Sequence, residues 1–360
     1  MQHLRTICAA LALTGLPVMA LAHGDSFDGD HLIAIWRFDP FILGLAGLAL
    51  WCFAAGVLRR ARGGREVGPW RQLAFPAGVI LTVAALQSPF DAMADHAFWA
   101  HQIQHMILRV TGPLLMMAAA PQAVIIAGMP RALRGRLIAP IGRSGAMQAL
   151  GRRISGPLVA TAIFVAALYV WEIPALHDAA LLNEALHYLM HVTMLLSGLL
   201  FFWIVFDRRD PPAAAPHGAR MLMLAAAGLS QIAIGALTTL KGSIYYPAYD
   251  MVGRLWHIAP LTDEATGGFL IWAPTCMMYL LAVFVVVHRW NGAEERFWRR
   301  EGMRRRSNSM ALMMPETAEE LWLAVAAQTR RIGLSLGAIP ILLVLSVFAL
   351  VETVRVLSGG

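Results

Sequence analysis

The stretch His96–Pro121, HAFWAHQIQHMILRVTGPLLMMAAAP, is long and apolar enough to cross a membrane, yet its first third carries three histidines. In a helix His101 and His105 fall one turn apart on one face. The stretch Asn183–Phe206, NEALHYLMHVTMLLSGLLFFWIVF, repeats the arrangement with His187 and His191. At ~1.5 Å of rise per residue, His101 and His187 lie about one turn below the membrane surface and His105 and His191 about two. Two membrane-length helices with an HxxxH pair at matching depth predict one metal site shared between them.

The surrounding composition fits this reading. Of the 360 residues, 58% are hydrophobic and 14% charged, and the mean hydropathy is +0.60, which describes an all-α integral membrane protein rather than a soluble domain. A net charge of +7 invites a nucleic-acid partner. The arginines, however, sit in short blocks between apolar runs, with no basic face interleaved with stacking aromatics, so no nucleic acid is expected. Cys8, Cys52 and Cys276 lie within apolar runs and form no disulfide framework.

Residues 1–22 place Arg5 ahead of an apolar core and end in Ala20-Leu21-Ala22, the pattern of a secretory signal peptide, with an uncleaved anchor as the alternative. Residues 23–37 then form a short polar segment outside the cytoplasm. Apolar runs of about 20 residues, the length of a span, follow at 38–58, 71–89, 98–120, 157–174, 184–206, 219–240, 267–288 and 332–353, the last interrupted by Pro340. The expectation is a bundle of seven to eight transmembrane helices. Arginine blocks at Arg59–Arg71, Arg131–Arg153, Arg208–Arg220 and Arg289–Arg331 alternate with loops that hold only Arg37, Lys241, Arg254 and Arg355. The arginine side is therefore cytoplasmic and the segment 23–37 periplasmic. The basic loop 122–156 is expected on the inner leaflet. The expected organisation is a helical domain at 38–290, a basic cytoplasmic segment at 291–331 and a final span with its tail at 332–360. Within the basic segment, a capping box at Thr317–Glu320 opens a surface helix that runs to Arg331.

Most of the 12 histidines fall on the arginine-poor side. Neutral imidazole is a common transition-metal ligand, and a low-dielectric site favours the neutral form. His101, His105, His187 and His191 are the expected ligands. Met190 and Met194 follow His187 at i+3 and i+7, and a thioether on that face would select Cu(I). Packing is the competing explanation for the methionines, as interhelical hydrogen bonding is for a single HxxxH pair. His96 is a further candidate at the mouth, and His23, if exposed by cleavage, could chelate through its amine and ring. A haem clamped between the helices is an alternative, although it would leave one histidine of each pair spare. His177 and His257 read as solvated loop residues, as do Glu172, Asp263 and Glu264, for which a role as entry ligands is the alternative. Arg109, two turns below His101, is an intramembrane charge in need of an acceptor; it either floors the site or bonds a helix carbonyl. No GxxxxGK[ST] loop and no nucleophile elbow occurs, so neither an ATP-driven pump nor an enzyme is expected.

Several motifs together resemble the multi-spanning CtaG family of cytochrome c oxidase assembly proteins, which is distinct from the single-span copper chaperone that shares the name. These are HQIQHMIL followed by GPLL and Pro121, HYLMH with LLFFW, YYPAY at 245–249 and DEATGGFLIW at 263–272. The resemblance covers about 36–290. It implies a place in the bacterial inner membrane and a role in maturing a haem-copper oxidase. Copper, as Cu(I), would be held by His101, His105, His187 and His191 and delivered at the periplasmic face. The implied partners are oxidase subunits, a periplasmic copper chaperone and the lipid bilayer. The chain departs from the family in having Asp263-Glu264 where Asp-Gln is usual before the paired glycines. A related membrane fold in CopD-like copper-uptake proteins leaves import as an alternative.

Overall fold

The structure is a computed structural model that describes residues 36–209 and 213–307, with isolated helical positions at Glu319, Trp322, Ala326, Arg330, Leu334 and Ala338. The described residues form helices and turns without strands. Prolines open many of the helices, where a missing N–H costs nothing. The helices are α1 (Pro40–Arg62), α2 (Pro69–Gln87) and α3 (Pro89–His96), then α4 (Phe98–Ala118) and α5 (Gln122–Gly128). Short helical turns over 131–143 lead to α6 (Gly145–Ile154), α7 (Pro157–Glu172) and α8 (Pro174–Leu182). The remainder is α9 (Glu184–Val205), α10 (His217–Leu240), the short α11 (Ala248–Val252) and α12 (Pro260–Ser307).

Among the described residues, four helices are individually long and apolar enough to cross a membrane: α1, α9, α10 and α12. Three bent pairs bring the number to seven if each is one span: α2–α3 with a 55° bend, α4–α5 with 72° and α6–α7 with 75°. The protein is thus a multi-pass helical membrane protein, and each of the first seven expected spans coincides with a helix. The signal peptide, His23, the surface helix from Thr317 and the eighth span lie outside the described residues, apart from the isolated positions above. Residues 1–288 and 289–360 form two units, and the second is described as helix through Ser307.

Two arginines of the first block tie together one end of the bundle. Arg59 Nη1 donates to the carbonyls of Ala127, Gly128 and Met129 at 2.9–3.1 Å, and Arg71 donates to those of Ala119 and Ala120 at 2.6 and 2.9 Å. Arg71 satisfies carbonyls left free at the C-terminal end of α4 and Arg59 those at the C-terminal end of α5, where cations are also favoured by the helix dipole. The histidine pairs occupy the opposite ends of the same helices. Between the two ends lies an aromatic core in which Phe164 stacks on Phe201 at 4.2 Å, beside Phe202 and Phe206.

Two local features bring α4 and α9 together. Pro113 lacks an N–H and its ring crowds the carbonyl of Arg109, and the helix responds with a π-helical turn over Ile107–Thr111. On α9, Gly198 lies two turns below His191 on the same face. A Cβ at this position would strike the Arg109 carbonyl and the Pro113 ring, so glycine is what allows the close approach.

Candidate metal centre

His101, His105 and His191 each direct a ring nitrogen into one small volume, with the three nitrogens all within 4.8 Å of one another. His101 and His105 are buried and His191 is half-buried. The rings of His101 and His105 meet edge to face at 4.3 Å, and those of His105 and His191 at 5.8 Å. His187 closes the group from above, 5.1 Å from the His101 ring and 4.4 Å from His191. Nε2 of all four histidines, and Nδ1 of His105 as well, are buried without a hydrogen-bond partner. Unpartnered buried nitrogens cost about 1–3 kcal/mol each unless something else satisfies them. Metal–imidazole bonds of about 2.0–2.1 Å require nitrogens about 3.3–3.6 Å apart around a tetrahedral ion, so modest ring rotations would close the site.

Around the cluster runs a second layer of contacts. His101 Nδ1 lies 2.9 Å from the Tyr249 hydroxyl, which lies 3.0 Å from His177 Nε2, and His177 Nδ1 lies 3.1 Å from the Trp171 carbonyl. Tyr249 is held in place by the segment before it. Glu264 accepts the backbone N–H groups of Tyr245 and Tyr246 at 2.9 and 3.1 Å and pairs with Lys241 and Arg254. Tyr246 stacks on Phe98 at 4.4 Å and donates to the Glu172 carbonyl at 2.9 Å. Asp263 accepts the N–H groups of Phe98 and Trp99 at 3.0 and 2.9 Å, capping α4 from another helix because Ala97 offers no cap of its own. Arg254 in turn holds Asp263 at 2.5 Å.

The site has a charged mouth and a charged floor. At the mouth, His187 Nδ1 is 3.9 Å from Asp95, which pairs with Arg37 at 2.7 Å; Arg37 also reaches Asp91 at 3.1 Å. At the floor, Arg109 follows His105 by one turn. It donates to Gln231 Oε1 at 2.6 Å and to the Phe164 carbonyl at 3.3 Å, and its guanidinium lies 4.0 Å over the Phe164 ring. A cavity of about 10 Å³, room for about one water, lies between His105, Arg109, Gln231 and Thr275.

The profile of the cytochrome c oxidase caa3 assembly factors (Caa3_CtaG) matches residues 49–292. The chain belongs to this family. Uncharacterized proteins of Mycobacterium bovis and Mycobacterium tuberculosis are each 26% identical over 277 residues, and one of Mycobacterium leprae is 24% identical over 274. Each match covers 75% of this chain and 42% of the relative, so the chain spans less than half the length of the curated relatives it matches. No solved structure matches the chain.

Against the family's outline, several residues sit differently from the sequence-based expectation. His177, expected in solvent, is fully buried, and burial pushes its pKa down to about 4. Glu172, Asp263 and Glu264, also expected in solvent, are buried because each carries a structural hydrogen bond or ion pair. The departure from Asp-Gln therefore falls on Glu264, the carboxylate that holds the YYPAY segment, while Asp263, which caps α4, keeps the usual residue. Met190 and Met194 pack in an apolar cluster with Trp171, Ala180 and Leu186. His96 bonds the Gly253 carbonyl at 2.8 Å, and His257 is exposed. Arg109 does both things expected of it, flooring the cluster and bonding a helix carbonyl. Asp95 and Tyr249 had no role in the sequence reading. The spacing Asp91-x3-Asp95, one turn apart just before the histidine helix, was the available signal for the first.

Proposed function

We propose that this protein takes part in assembling a haem-copper cytochrome c oxidase by binding one copper ion between α4 and α9 and passing it to an oxidase subunit. The observation that carries the reading is the set of three histidines, His101, His105 and His191, whose nitrogens converge with Nε2 unpartnered on each. Imidazoles alone suit copper, zinc or nickel; a role in assembling a haem-copper oxidase is what favours copper in this reading. Neutral ligands leave the ion's charge uncompensated, and the cost of burying charge rises with its square, which favours Cu(I) over a divalent ion. The arginine-poor end that holds the site faces the periplasm of the inner membrane under the positive-inside rule. His187 and Asp95 form its mouth, where a periplasmic copper chaperone would deliver. The protein carries cargo and catalyses no reaction.

Two other readings fit less well. Import would take the ion past Arg109, and two unit charges about 6 Å apart repel by about 3 kcal/mol at an effective dielectric near 20. A haem needs a pocket of about 300 Å³ or more, whereas the cavity beside His105 measures about 10 Å³. The test is a deletion strain complemented with wild type or with His105→Ala. Loss of oxidase-bound copper at unchanged cytoplasmic copper, unrescued by the variant, supports delivery. Loss of cytoplasmic copper instead would support import and overturn the proposal.

A further inference from the structure

The chain of contacts from Trp171 to His101 has only one consistent direction. The Trp171 carbonyl can only accept, so His177 Nδ1 carries a proton and donates across 3.1 Å. His177 is fully buried between a carbonyl and a hydroxyl with no carboxylate on either ring nitrogen, so it is a neutral imidazole whose Nε2 lone pair accepts from the Tyr249 hydroxyl across 3.0 Å. That hydroxyl has a single proton, which it gives to His177. The Tyr249 oxygen must then accept across 2.9 Å, and the donor is His101 Nδ1–H. His101 is thereby left with its lone pair on Nε2, the buried nitrogen that has no partner.

We infer that Tyr249 and His177 are positioning residues that lock His101 in its Nδ1–H tautomer and present Nε2 to the metal. The inference rests on the metal-binding reading above and deepens it. His101 becomes the one ligand with a fixed tautomer, while His105 has no partner on either nitrogen and is free to adapt. Outer hydrogen bonds of this kind orient a ligating imidazole and raise its basicity, and losing one typically lowers metal affinity by about 10–100-fold. The relay also joins the α4–α9 site to α8 and α11, so the sequence needs His177 and Tyr249 far from either HxxxH pair.

The test uses the full-length protein in lipid nanodiscs. Nitrogen-15 NMR on labelled histidines reads the tautomer without metal, and competition with a chromophoric Cu(I) chelator reads affinity. The expected result is His101 as the Nδ1–H tautomer in the wild type and a mixture in Tyr249→Phe. Cu(I) affinity of the variant should fall about 10–100-fold at unchanged stoichiometry. If Tyr249→Phe does not fold, His177→Gln and His177→Asn replace it. The glutamine can still offer Tyr249 an acceptor near the Nε2 position, whereas the asparagine reaches only Trp171, so the glutamine variant should bind more tightly. A wild-type His101 protonated on Nε2, or equal affinities across these variants and the wild type, would overturn the relay. Absence of Cu(I) binding by the wild type would sink the metal-binding reading, while the tautomer measurement would still decide the relay.

Discussion

On α4 both histidines of the pair are sealed from solvent, and both direct nitrogens into the cluster. On α9 both are half-buried, and only His191 directs a nitrogen into the cluster; His187 sits a turn nearer the mouth, with Nδ1 3.9 Å from the carboxylate of Asp95. The two HxxxH motifs have the same spacing, and what separates them is their surroundings. On the α4 side, His101 meets the Tyr249 hydroxyl of α11, which packs edge-on against Phe98, whereas His187 in the first turn of α9 faces the Asp95 carboxylate of α3. Identical motifs can thus differ in role: under the proposed function three histidines hold the ion and the fourth stands between them and the mouth.

The comparison can be broken by single substitutions. The largest effect is expected from His191→Ala, which removes one of three ligands and should lower copper affinity by more than the ~100-fold ceiling for an outer partner. His187→Ala should cost less than about 10-fold in affinity and act instead on the rate at which a chelator withdraws the ion. Chelator competition and stopped-flow extraction separate the two, and equal losses in both variants would mean the pairs are equivalent after all. The smallest effect is expected from Met190→Leu with Met194→Leu. Volume-conserving swaps of buried methionine cost less than about 1.5 kcal/mol each, and copper stoichiometry by metal analysis should not change.

Much of this arrangement was legible in the sequence. Apolar run length gave the first seven spans, and i, i+4 spacing put each histidine pair on one face, because both depend on local geometry alone. The approach of the two pairs was legible too, through matched depth, although only three of the four expected histidines converge. What the sequence did not reveal depends on contacts between distant segments. A histidine in a loop between Pro174 and Leu182 looks solvated until α11 covers it, and Asp263 looks like a loop carboxylate until it caps a helix 165 residues away in the chain. The methionines show the converse: they satisfy the spacing for a ligand face, yet they pack with Trp171 and Ala180, the alternative the sequence also offered.

X-ray absorption at the copper edge, on the full-length protein loaded with Cu(I), tests the central claim most directly. The account predicts three nitrogen neighbours at about 2.0 Å, no sulfur neighbour, and loss of the signal in a His101→Ala, His191→Ala variant. A sulfur shell at about 2.3 Å, or a spectrum that persists unchanged in that variant, would contradict it.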